Sequence, residues 1–217
     1  FQADAGIRIL GGFSRRASKK HSLRLEFRGE YGPTRLRYPL FGENAATDFD
    51  TLVLRAGFND SWTWTAESTH YIRDQWTRNT QRSMGHPSSH GTLVHLYING
   101  IYWGLYNPSE RPDASFSESY FGGDEDNWDA INSGNPVDGT DAAWRQLMRQ
   151  VRRAGTSDQA ESNAKLLELL GRKPDGTNDP EVENLLDLEN YIDYMIVNYY
   201  TGNNDWPSKN FYVGRER

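Results

Sequence analysis

The sequence predicts an α+β fold in two lobes, β-rich over residues 1–110 and mostly helical over 111–217. Three observations predict it. Apolar residues alternate at period two in short runs through the first half, an Asn99-Gly100 pair sits between two β-prone runs, and three segments of the second half carry apolar stripes at helical spacing. The length of 217 residues suffices for one sizeable domain or two small ones, and 36% hydrophobic with 13% aromatic residues is a globular mixture.

In chain order, "HSLRLEF" puts Leu23, Leu25 and Phe27 on one face of a strand. "RLRYPLF" repeats the pattern with Leu36, Tyr38 and Leu40, and "TLVLRAG" is a short apolar strand ending at Arg55 and Gly57. "ESTHYIRDQWTRNTQRSMG" brings Tyr71, Ile72 and Trp76 near helical spacing and stops at Gly85. "GTLVHLYINGIYWGLY" predicts a hairpin over 92–106, because Asn-Gly tolerates the positive φ angles of a type I′ turn. The stretch "NPSERPDASFSESYFGGDEDNW" reads as a connector.

The second half continues with "DAAWRQLMRQVRRAG", where Trp144, Leu147, Met148 and Val151 form one stripe and Gly155 a stop. "DQAESNAKLLELLG" is a second helix and "GRKPDGTNDPE" an exposed turn-rich loop. "DLENYIDYMIVNYY" places Leu188, Tyr191, Ile192, Met195, Ile196 and Tyr199 on one stripe, predicting a helix that borders the core along its length and ends near Tyr200. The loop "TGNNDWPSKN" follows and leads into a strand from about Phe211.

Composition excludes several classes of function. A net charge of −6 argues against a nucleic-acid-binding domain. The absence of cysteine rules out disulfides, thiolate zinc sites and a cysteine nucleophile. No apolar run reaches the ~20 residues of a membrane-spanning helix. A chain that opens at Phe1 and closes on "GRER" after a strand-like run is expected to be part of a longer polypeptide.

Two constellations carry chemistry. Asp205 and Asn210 stand in the order D-x-x-x-x-N, which in protein kinases sets a base beside the acceptor hydroxyl and an amide oxygen on a metal ion bridging phosphates. The structural alternative is an Asx turn at the helix exit. "GGFSRRASKKHSLRLEF" combines two glycines, small hydroxyl residues and the cations Arg15, Arg16, Lys19 and Lys20, as a loop clasping phosphates requires; the alternative is a solvated basic turn. Arg55 ends the strand before the first helix, where a kinase carries its phosphate-binding lysine, and Asp74 or Glu67 can supply its acidic partner.

The succession "SRRASKKHSLRLEFRGEYG", "FDTLVLRAG", "VHLYINGIYWGLYNPSERPD" and "NNDWPSKNFYV" resembles the CotH family, the spore-coat-protein-H-type atypical protein kinases, across nearly the whole chain. That resemblance implies a two-lobed kinase-like fold, with residues 1–110 the nucleotide-binding lobe and 111–217 the lobe of the catalytic loop. It implies ATP with Mg2+ or Mn2+ as cofactors, protein substrates with acceptor serines, and a secreted, cell-surface or spore-coat location. Asp205 corresponds to the catalytic aspartate and Asn210 to a metal ligand, while Arg15, Lys19, Lys20 and Arg55 are candidates for the nucleotide phosphates. Glu110 closes the hairpin block, either adjacent to the nucleotide or as a structural anchor. The family's second metal-binding aspartate is expected beyond Arg217. The competing reading is a glycan-binding or scaffold module, including a kinase-like fold without catalysis; three amphipathic helices in the second half speak against a lectin-like sandwich.

Overall fold

The computed structural model describes residues 1–62, 67, 69–155 and 158–217. The chain is α+β, and it divides into two compact units, Phe1–Glu125 and Asp126–Arg217.

The first unit is built on five antiparallel strands: β1 (Gly6–Leu10), β2 (Ser22–Glu26), β5 (Thr51–Arg55), β6 (Val94–Ile98) and β7 (Ile101–Glu110), in spatial order β1-β2-β5-β7-β6. Two short strands, β3 (Leu36–Arg37) and β4 (Asp48–Phe49), pair separately. The sequence predicts a full strand across "RLRYPLF", but pairing stops after Arg37. Tyr38 donates its N–H to Thr47 O, and Pro39 follows without an N–H to continue a ladder.

The hairpin forms as predicted. Asn99 and Gly100 have φ of 50° and 80°, and Ile98 faces Ile101 across the turn. β7 outlasts its partner: its first half pairs with β6 and its second with β5, where Glu110 lies opposite Leu52. Alternation on β2 and β5 sends Leu23 and Leu54 into one core cluster with Ala56 and Tyr106. A second cluster gathers Phe27, Leu36, Phe49 and Leu52.

Helix α1 (Ser14–Ala17) joins β1 to β2, and α2 (Arg73–Ser83) joins β5 to β6. Tyr71 and Ile72 precede α2 rather than joining it, since Tyr71 has a φ of 60°. Part of the segment from which the sequence reading started this helix, at Ser68, lies outside the described residues. The predicted connector after the hairpin contains a helix, α3 (Ala114–Phe121). Asp113 caps it by accepting the Phe116 N–H at 3.0 Å, and Gly122 ends it at a φ of 83°.

The second unit holds α4 (Ala142–Ala154), α5 (Gln159–Leu169) and α6 (Leu188–Tyr200), as predicted, and an antiparallel sheet of which only the strand after Phe211 was predicted. Its strands are β8 (Trp128–Asn132), β9 (Asn135–Asp138) and β10 (Tyr212–Glu216), in order β10-β8-β9. A two-residue turn, Ser133-Gly134 with φ of 51° and 83°, links β8 to β9. The α6 stripe departs from expectation: Leu188, Tyr191, Ile192, Ile196 and Tyr199 are exposed, whereas Val197 and Asn198 are buried. At 100° per residue Val197 lies opposite the stripe and Asn198 at its edge beside Tyr191. Trp206 returns against Tyr194 and Tyr199, and the most apolar face is not the buried one. Among the described residues no helix is long and apolar enough to cross a membrane.

Candidate functional site

The loop after α6 is held in place from three directions. Trp206 packs edge-on against Tyr194 and Tyr199, with ring centroids 5.9 and 5.7 Å away. The peptide between Trp206 and Pro207 is cis. Buried Asn198 donates through Nδ2 to the Tyr194 carbonyl at 2.8 Å and accepts the Asn203 Nδ2 at 2.7 Å. Asn203 in turn accepts the Asp205 N–H on its Oδ1 at 3.3 Å. A relay of two amides thus connects the helix interior to the backbone of Asp205. The sequence reading missed Asn198; its signal was a polar residue beside the last apolar turn of α6.

Asn210 is fixed from the other end. It adopts a φ of 62°, and its N–H donates to Ser133 Oγ at 2.9 Å, in the turn between β8 and β9. Its Nδ2 donates to the Asp205 carbonyl at 2.7 Å. That bond orients the amide, and its Oδ1, on an exposed residue, makes no hydrogen bond among the described residues. The D-x-x-x-x-N spacing therefore closes a loop in which one residue's side chain grips the other's backbone. Lys209, absent from the sequence reading, brings Nζ to 2.8 Å from Asp205 Oδ1. The loop presents a carboxylate, an ammonium and an outward amide oxygen on adjoining residues.

The other candidates lie in the first unit. Arg55, at the end of β5, donates from Nε to Asp74 Oδ2 at 2.7 Å, and Asp74 is on the first turn of α2. Glu67, the other proposed partner, lies outside α2 and is exposed. Arg78 reaches the same Asp74 oxygen at 3.2 Å and Asn107 Oδ1 on β7 at 2.5 Å. Asn107 also donates to Gln75 Oε1 and to the Thr92 carbonyl, so α2 is tied to the sheet. Burial works against the charge on Asp74, but the Arg55 and Arg78 guanidiniums hold its pKa below the ordinary 3.8. Burial pushes Arg78 down to about 10, against the opposing pull of Asp74. Arg55 and Asp74 are both about half exposed, and such a pair contributes at most about 1 kcal/mol. Its effect is chiefly to aim the guanidinium.

Lys20 is engaged differently. Its amine donates to the Ala56 carbonyl at 3.1 Å and the Leu105 carbonyl at 2.5 Å and lies 4.6 Å from the centroid of the Tyr106 ring. Burial lowers its pKa. Gly104 makes this possible, since a Cβ there would stand 3.2 Å from Lys20 Cε. Arg15 on α1 and Lys19 after it are exposed in the β1–β2 connection. Gly11 starts that connection at a φ of 126°, its missing side chain replaced by the Ser14 hydroxyl. The cationic loop therefore joins the first two strands of the sheet, as the sequence requires.

Glu110 is buried and engaged at both oxygens. Oε2 accepts the His90 N–H at 2.7 Å and lies 3.1 Å from His90 Nδ1, and Oε1 accepts the Tyr120 hydroxyl at 2.5 Å. Tyr120 also accepts the Ala46 N–H at 2.9 Å. Burial, and then the bond to Glu110, raises the Tyr120 pKa. Among the described residues no three His, Asp or Glu side chains gather as a metal cluster.

A family model described as CotH kinase protein matches residues 7–217. No curated protein matches the chain.

Proposed function

The chain belongs to the CotH kinase family, and from that premise we propose that it is an atypical protein kinase domain transferring the γ-phosphoryl group of ATP to serine hydroxyls of surface or spore-coat proteins. The observation that carries the reading is the loop of Asp205, Lys209 and Asn210. The Asn210 amide is oriented by its bond to the Asp205 carbonyl, the Asp205 backbone is held by Asn203, and the Asp205 carboxylate lies 2.8 Å from Lys209 Nζ.

In this mechanism Asp205 accepts the proton of the serine hydroxyl as its Oγ bonds to the γ-phosphorus and the bond to the ADP oxygen breaks. Lys209 faces the charge that develops on the transferring group. Mg2+ is commonly held by one or two protein oxygens together with phosphate oxygens and water, which fits the outward Oδ1 of Asn210 as one donor. When bound, the divalent ion neutralises the β- and γ-phosphate oxygens. Arg55 binds phosphate from the third strand of the first unit's sheet, aimed by Asp74 on the helix between its third and fourth strands. Protein kinases pair a strand lysine with a helix glutamate for the same purpose. Arg15 and Lys19 meet phosphate from the loop, while Lys20 and Glu110, engaged with protein partners, keep that loop and the end of β7 in place.

The test is phosphotransfer from radiolabelled ATP to a serine-rich acceptor, with calorimetric nucleotide titration alongside, using the natural full-length protein. Asp205→Asn should abolish transfer and leave ATP binding within a few-fold, because the base acts in the transition state. Undiminished transfer would remove Asp205 from its role. Metal-independent glycan retention by wild type and variant alike would favour the binding-module reading.

A further inference from the structure

Helix α4 carries four arginines, Arg145, Arg149, Arg152 and Arg153. At 100° per residue they fall within a single arc of about 100°, and all four are exposed. The side away from the arc carries Trp144 and Leu147, with Met148 bordering the arc beside Arg152; all three are partly buried, and Trp144 lies against Phe211 at 5.7 Å between ring centroids. Arg145 pairs with Asp141 at 2.9 Å. Among the described residues, the guanidiniums of Arg149, Arg152 and Arg153 make no hydrogen bond or ion pair.

Helix stability explains only half of this arrangement. Cations in the last turn, Arg152 and Arg153, complement the helix dipole, but Arg145 in the first turn opposes it and Arg149 lies mid-helix. In a chain of net charge −6, so many guanidiniums on one arc form a local anion-binding surface. Arg145, Arg149 and Arg152 are staggered by about 6 and 4.5 Å along the axis. Alternate residues of an extended peptide lie about 6.5–7 Å apart on one side, close to the larger of those steps.

We propose that this face binds a phosphoserine-bearing segment of the protein substrate, retaining a chain already phosphorylated for further transfer; the inference rests on the kinase reading above. Guanidinium forks bind phosphate bidentately, and arginine clusters are a recurring solution for phosphorylated motifs. Other anions are disfavoured. A helix that lies in a membrane surface needs its apolar face available to lipid, whereas Trp144 packs inside the unit. A nucleic-acid site draws on a basic domain, and this chain is acidic.

Fluorescence anisotropy tests this without ATP or metal, using a labelled serine-rich peptide either unmodified or carrying phosphoserines at two alternate positions. The wild-type chain should bind the phosphopeptide about tenfold or more tightly than the unmodified one, since each phosphate brings roughly two negative charges. Arg145→Gln combined with Arg149→Gln and Arg152→Gln should erase that preference, and the corresponding triple lysine variant should recover only part of it. Circular dichroism checks folding; were the triple glutamine variant to melt early, Arg149→Gln alone should still weaken phosphopeptide binding about threefold or more. Equal affinity for both peptides, or unchanged binding by the variants, overturns the proposal. So does equally tight binding to vesicles of about 30% phosphatidylserine or to single-stranded DNA. A wild-type chain that binds the phosphopeptide but never transfers phosphate would sink the kinase reading and the retention of substrate for further transfer, leaving only a phosphopeptide-binding face on α4.

Discussion

Replacing Asn198 with alanine should loosen the loop of Asp205 while leaving the proposed phosphate-binding residues of the first unit untouched. The side chain is 5% exposed and makes two amide bonds, to the Tyr194 carbonyl at 2.8 Å and to Asn203 at 2.7 Å. Each such bond is worth about 0.5–1.5 kcal/mol net, so Asn198→Ala should cost about 1–3 kcal/mol. For a chain of this length each kcal/mol lowers the melting midpoint by about 2–4 °C, giving a fall of roughly 2–12 °C. Asn203→Ala removes the same inter-amide bond and the acceptor for the Asp205 N–H, on an exposed residue, at a cost of about 1 kcal/mol. The double variant should then be less destabilised than the sum by about 1 kcal/mol, the value of the shared bond. A displacement of about 1 Å at the proposed base costs on the order of 10²-fold in rate. Both single variants should therefore lower kcat by about 10- to 100-fold and leave the KM for ATP within a few-fold. Chemical denaturation with phosphotransfer kinetics measures both effects. Strict additivity of the two substitutions, or wild-type kcat in Asn198→Ala, would refute the relay.

Asp74→Asn should flatten the acid limb of stability. Its folded pKa is lowered from 3.8, so its contribution is complete above about pH 4 and is lost as pH falls through the lower folded value; thermal melts from neutral to acid pH should show a shallower decline below pH 4 in the variant, and parallel curves would contradict this. Tyr120→Phe deletes the donor to Glu110 and the acceptor for Ala46, and urea titration should find a loss of about 1–3 kcal/mol; no loss would mean the buried Glu110 is held by His90 alone. Gly100→Ala meets nothing within 4 Å, but its φ is 80°, so a cost of about 1–2 kcal/mol should appear from backbone strain alone, and a neutral result would show the turn relaxing.

What was legible in the sequence was local. Asn99-Gly100 specified a turn because few residue pairs accept two consecutive positive φ angles, and the run before Thr201 specified a helix because its period is unbroken. The pairing of Arg55 with Asp74 could be anticipated because strand end and helix start are consecutive elements. β8 and β9 escaped because each is short and β9, at the sheet edge, contains Pro136, which weakens a strand signal everywhere except at an edge. Ser133-Gly134 was their only cue. α3 carried an Asp113 cap and a Gly122 stop within a stretch whose serines read as a loop. The buried side of α6 was misjudged because periodicity reports where apolar residues sit, not which side the rest of the fold covers. Lys209 and the amide relay were beyond reach, since both depend on how the chain turns after the helix.

The bond from the Asn210 N–H to Ser133 Oγ spans 77 residues, and beside it Ser133 donates its own N–H to the Phe211 carbonyl. β10 must dock along β8, Tyr212 opposite Asn132, for either bond to exist. A ring of that length closes late in folding, after the helices, which need only neighbours. A peptide spanning the helix and loop alone would keep the sequence motif yet lose the handed bend at Asn210, so the motif gains its shape from a strand made long before it. The geometry of the loop therefore depends on β10 pairing with β8, whose turn into β9 lies far upstream in the chain.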